Sequence, residues 1–208
     1  LGWWITQVPS PELTLSLPGM DGGPGENSRV SINENRTISI GESFALYSGV
    51  PSPVLSTWPR FRGPRFNNII TGPLSIKKTF TSSPPKIWEV PLGEGHAAPV
   101  IAYGQVFVLD YDEDLGADAL RSFSPRDGTE IWRRWYKIDI KRNHGMSRTI
   151  PAVFDSTVVT IGPQCQVMAT DAFSGDLLWG IDMVSRYETT VPLWYTGQCP
   201  LIDDSVVV

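Results

Sequence analysis

The sequence predicts an all-β fold assembled from repeated four-stranded antiparallel sheets, on three observations. A turn signature recurs: Phe123-Ser124-Pro125-Arg126-Asp127-Gly128-Thr129-Glu130-Ile131-Trp132 is answered by Thr170-Asp171-Ala172-Phe173-Ser174-Gly175-Asp176-Leu177-Leu178-Trp179. In both, tryptophan follows glycine by four residues. A strand-opening signature keeps the same beat: Ala98-Pro99-Val100-Ile101 with Val106, Ile150-Pro151-Ala152-Val153 with Val158, and Cys199-Pro200-Leu201-Ile202 with Val207. A small residue (Gly104, Ser156, Ser205) lies five positions after each proline. Finally, Trp88, Trp132 and Trp179 stand 44 and 47 residues apart, the period of a propeller blade.

Each signature has a physical reason. Ser-Gly or Asp-Gly between β-rich runs marks a hairpin, because glycine reaches positive φ without steric cost. A proline at the head of a strand forgoes a donor where the ladder has barely begun, so Pro99, Pro151 and Pro200 read as strand starts. The tryptophan past each glycine then packs between neighbouring sheets. The expected architecture is a β-propeller of four-stranded antiparallel blades, about two to two and a half of them present: repeats near 98–137 and 150–184, and a third beginning near 198. Since a closed propeller needs at least about four such blades, the chain is expected to be part of a longer protein.

Proline, small residue, Val-rich strand, then Asp-Ala-x-Ser-Gly-x-x-Leu-Trp resembles the repeat of the PQQ-binding-like β-propellers, the superfamily of quinoprotein dehydrogenases and of the outer-membrane assembly lipoprotein BamB. Trp58-Pro59-Arg60-Phe61-Arg62-Gly63-Pro64 is similar to the Trp-Pro-x-Phe-Arg-Gly-Pro segment that opens many bacterial members. The resemblance covers residues 58–208 and implies a fold; it leaves chemistry open, because one fold hosts many functions. It also implies what an enzyme of this type needs: PQQ over the central axis on a vicinal disulfide, a stacking Trp, and calcium held by Glu and Asn beside a catalytic Asp. This chain has no adjacent cysteine pair.

Taken in order, residues 1–57 read as an irregular N-terminal extension. Trp3 and Trp4 stand beside too few apolar residues to cross a bilayer. They suit an arm packed on another subunit, or the interfacial end of a membrane anchor or signal sequence that precedes this segment. Pro18 to Gly25 cannot hold a helix or a central strand. Gly41 to Tyr47 predicts one or two helical turns, ended by Gly49 and Pro51. A net charge of -5 with no long basic run argues against a nucleic-acid partner.

Within the blades, strand direction alternates, so the connection into the first strand and the hairpin between the second and third share one face. That face receives the long segments: 93–97, 110–118, 139–149, 162–164 and 185–198. Function sits on loops held by a rigid scaffold, which makes this the face to suspect. Lys137, Lys141, Arg142, His144 and Arg148 form a basic loop that suits an acidic partner or simple solvation. Trp194 and Tyr195 stand in the 185–198 loop, to stack on a sugar or a partner or to hold the loop to its own blade. Asp110-x-Asp112-x-Asp114 mimics the start of a calcium loop, but Leu115 replaces the turn glycine and Arg121 the closing Glu. The hairpin therefore reads as a solvated acidic loop or as a partner for the basic one. Cys165 and Cys199 fall on the same face, which permits a disulfide in an oxidising compartment; two free thiols are the other reading. Neither His96 nor His144 has ligands at metal spacing, so no zinc site and no catalytic residue is predicted.

Two functional expectations follow. The first is a non-catalytic exported propeller, periplasmic and with a membrane anchor ahead of residue 1 as an option, that binds protein partners as a scaffold or assembly subunit of an envelope or respiratory complex. It needs no cofactor. The second is a PQQ- and calcium-dependent dehydrogenase oxidising an alcohol or sugar.

Overall fold

The computed structural model describes residues 37–53, 57–71, 79, 81–141, 146–203 and 206–208. Strand β1 (Ser43–Leu46) precedes β2 (Val100–Ala102), β3 (Gln105–Asp112), β4 (Ala117–Phe123) and β5 (Glu130–Lys137). Then come β6 (Ala152–Phe154), β7 (Thr157–Ile161), β8 (Gln166–Asp171) and β9 (Leu177–Asp182), a short helix α1 (Met183–Tyr187), β10 (Ile202–Asp203) and β11 (Val206–Val207). The strands form antiparallel sheets in the orders β1-β5-β4-β3-β2, β6-β7-β8-β9 and β10-β11. The described residues thus form a partial β-propeller: two complete blades and the opening pair of a third. The first strands β2, β6 and β10 neighbour one another at the axis.

Pro99 and Pro151 sit immediately before β2 and β6. The inner hairpins turn at Tyr103-Gly104 and Asp155-Ser156, all four with positive φ, the two-residue geometry that matches strand twist. Each outer hairpin carries a bulge at the same register, after Ser122 in β4 and after Ala169 in β8, so Trp132 opposite Ser122 and Trp179 opposite Ala169 hold equivalent positions.

Burial follows the blades. One apolar layer (Phe107, Leu120, Trp132, Tyr136 with Val153, Val158, Met168) fills the space between the first two blades. A second (Ala152, Val159, Val167, Ala169, Ile202) lies between the second and third. A third (Val106, Val108, Phe123) lies on the opposite face of the first blade, under Val90 and Ala97. The tryptophans seal these layers against hairpin turns. Trp132, fully buried, donates to the Ala172 carbonyl at 3.2 Å and packs on Gly175 of the second blade. Trp88 does the same one blade earlier, donating to the Pro125 carbonyl at 2.9 Å and packing on Gly128. Trp179 is 38% exposed: its sheet position matches that of Trp132, its neighbours do not.

Three expectations are corrected. Residues 41–47, read as helical turns of an extension outside the blades, contain β1, which pairs with β5 as a fifth strand from Ser43 opposite Trp135 to Leu46 opposite Trp132. The open edge of β5 decides this, since it offers an unpaired row of backbone groups. The chain then crosses the first blade from rim to axis, with backbone bonds from Tyr47 to Ile131, Gly49 to Glu130 and Ser52 to Gly104. The acidic segment 110–118 is not a long loop: its ladder runs on to Asp112 opposite Ala117, leaving a four-residue turn. The 185–198 segment is entered through α1, whose N-cap Asp182 accepts from the amides of Val184 and Ser185.

Candidate functional site

The suspected face is built from two connections between blades, and the structure brings them together through Tyr195. Its hydroxyl accepts from the Lys141 amide at 2.9 Å and donates to the Lys141 carbonyl at 3.0 Å. Tyr195 is buried, so it pins its loop rather than offering a ring to a ligand, whereas Trp194 beside it is half exposed. Thr196 extends the seam: its amide and hydroxyl donate to the Pro163 carbonyl, and its hydroxyl accepts from the Cys165 amide. Gln164 reaches the Asp139 carbonyl at 3.1 Å. The turn of the second blade is thereby fastened to both connections.

Of the basic residues, Lys137 and Lys141 are exposed and Arg148 is half-buried; Arg142 and His144 lie outside the described residues. Cys165 and Cys199 are unbonded. Cys165 is buried at a positive φ of 67°, and burial pushes its thiol up despite the bond with Thr196. A cleft of about 440 Å³ opens beside the seam, lined by Glu42, Tyr111, Lys137 and Asp139 among others.

Glu113 and Asp114 at the tip of the acidic hairpin are exposed, whereas Asp110 and Asp112 pair with arginines of the same sheet. Asp110, buried, accepts from Arg121 at 2.8 Å and from the Gly93 amide at 2.7 Å. Arg121 also binds Glu130 through both carboxylate oxygens at 2.9 Å and donates to the Pro91 carbonyl. Arg133, directly opposite Arg121 in the sheet, binds Glu130 and Asp112. Burial opposes the Glu130 charge, yet the two arginines hold its carboxyl below the usual range. Arg121, standing where a calcium loop closes with Glu, supplies the cation itself.

Sequence reasoning missed Asp118. Fully buried, it accepts from Tyr136 Oη at 2.9 Å and from Ser147 Oγ at 3.2 Å, and burial pushes its carboxyl up to about 7. The two hydroxyls only partly offset that desolvation. Gly162 of the second blade lies so close that a Cβ there would fall 2.0 Å from the Tyr136 hydroxyl. Ser147 anchors the stem of the basic loop and accepts from the amides of His96 and Ala97. One carboxyl therefore joins the first blade to the loop, against the second blade. Among the described residues no group of three or more metal-ligating side chains converges.

Comparison with known proteins adds a family match. Residues 116–208 match the family model described as outer membrane protein assembly factor BamB. Among solved structures, a europium-containing methanol dehydrogenase aligns at 16% identity and TM-score 0.37, over 55% of this chain and 20% of its own. The quinohemoprotein alcohol dehydrogenase ADHIIG from Pseudomonas putida HK5 aligns at 18% identity and TM-score 0.25, over 46% and 22%. This chain spans about a fifth of the length of those structures. No curated protein matches it.

Proposed function

We propose that this chain, whose residues 116–208 match the family model described as outer membrane protein assembly factor BamB, is part of a non-catalytic, exported propeller that holds protein partners as a scaffold or assembly subunit of an envelope or respiratory complex. The carrying observation is the lock between Tyr195 and the Lys141 backbone. It sets two inter-blade connections into one face on which Lys141 and Trp194 are both exposed. An aromatic anchor beside a cation on a rigid support suits a protein partner with an acidic, partly apolar surface. Of the three carboxylates in the calcium-like motif, Asp110 and Asp112 are committed to Arg121 and Arg133, and Asp114 is exposed. Export and placement in the periplasm belong to this reading; among the described residues no helix is long and apolar enough to cross a membrane.

The test is site-specific crosslinking of the full-length protein in the producing cell. A photocrosslinker replacing Trp194 yields one discrete protein adduct, which the added substitution Lys141→Glu removes. The same crosslinker replacing Phe173, exposed on the opposite face, yields none. No adduct from position 194, or equal adducts from both faces, would exclude this docking face.

A further inference from the structure

The segment Trp58-Pro59-Arg60 touches three successive blades at the axis. Trp58 makes a reciprocal backbone pair with Ile101 on β2, at 2.7 and 2.9 Å. The Pro59 carbonyl accepts from the Val153 amide on β6 at 2.8 Å. Arg60 donates through Nη1 to the Ile202 carbonyl on β10 at 3.2 Å, and its Nη2 lies 3.5 Å from the Val153 carbonyl. The segment is itself held: Gly63 packs on the Trp58 ring, and the turn from Arg60 to Asn68 closes through backbone bonds of Gly63, Phe66 and Asn68. That turn brings the Phe66 ring to 5.2 Å from the Arg60 guanidinium, while Phe154 of the second blade lies 5.9 Å away.

We propose that Trp58-Pro59-Arg60 is an internal hub, a built-in template that sets the blades around the axis, with Arg60 as the positioning residue that ties the third blade to the second. The physical need is plain. The axial edges of β2 and β6 are unpaired rows of backbone groups, and a proline-containing segment satisfies them without offering a continuous new edge. A guanidinium fork bridges two carbonyls that no backbone segment spans. At this stretch of the axis the Arg60 guanidinium lies between the rings of Phe66 and Phe154.

Hydrogen exchange on the full-length protein tests this. In Arg60→Ala, peptides covering 201–208 exchange at least about tenfold faster, as expected for a lost charged hydrogen bond, while peptides within 105–123 keep wild-type rates. Arg60→Lys, which keeps the charge and stem but not the fork, gives the same selective change at smaller amplitude and serves if the alanine variant does not fold. Wild-type rates at 201–208 in the lysine and alanine variants, or a uniform increase across all blades, would overturn the assignment.

Discussion

The indole of Trp132 donates to the carbonyl of Ala172, 3.2 Å away and 40 residues along the chain, and its ring lies where a side chain on Gly175 would have to go. Trp88 and Gly128 repeat the relationship one blade earlier. An aromatic face laid on a glycine turn, with the indole N–H satisfied by that turn, buries a large area while leaving no polar group unpaired.

Gly175 combines φ 73° with a would-be Cβ 2.7 Å from Trp132. Gly175→Ala is expected to cost about 2–4 kcal/mol, left-handed strain plus overpacking. Gly116, at φ 58° with nothing within 4 Å, carries only the strain, so Gly116→Ala is expected to cost about 1–2 kcal/mol. Urea denaturation of the two variants measures the difference, and equal losses would mean that the ring contact contributes nothing.

Asp118 predicts an unusual pH dependence. Burial pushes its carboxyl up to about 7 in the folded chain, from the ordinary aspartate value of 3.8, so the native state binds the extra proton between those values. Stability attributable to this group is therefore complete below about pH 4, falls as pH rises towards 7, and stays low above; the span is on the order of a few kcal/mol. Asp118→Asn flattens that slope and leaves the protein more stable than wild type at pH 8. Denaturation midpoints from pH 4 to 8 read it directly, and an unchanged slope in the variant would assign the dependence elsewhere.

Arg121 holds together the acidic hairpin. Arg121→Met leaves buried Asp110 without its cation and Glu130 with Arg133 alone, and is expected to cost about 3–5 kcal/mol at pH 7. Adding Glu130→Gln and Asp110→Asn recovers part of the loss. Added calcium recovers none. Rescue by calcium would reveal a cation site that Arg121 normally fills.

The spacing of glycine and tryptophan was legible because both lie on one local hairpin, where offsets along the chain fix offsets in space. The parity of strands also placed the 139–149 and 185–198 segments on a common face. β1 was not legible: Phe44 is 38% and Leu46 70% exposed, so neither apolar residue marks a buried face, and the strand's existence depends on the free edge of β5 nearly 90 residues away. Asp118 stood in the sequence only as the end of the 110–118 segment; its burial comes from Ser147 and Gly162 in later segments. Asp110 and Asp112 looked like cation ligands, and so they are, but their cations are the side chains of Arg121, on the facing strand of the same hairpin, and Arg133, one strand further on.

The proposal of a non-catalytic, partner-binding propeller is most directly tested with quinone. The full-length protein is incubated with PQQ and calcium, desalted, and examined for quinone absorbance and for alcohol-driven dye reduction. The expected result is no retained chromophore and no turnover. Stoichiometric quinone that survives desalting, with dye reduced by an alcohol or sugar, would contradict it and make the chain part of a dehydrogenase.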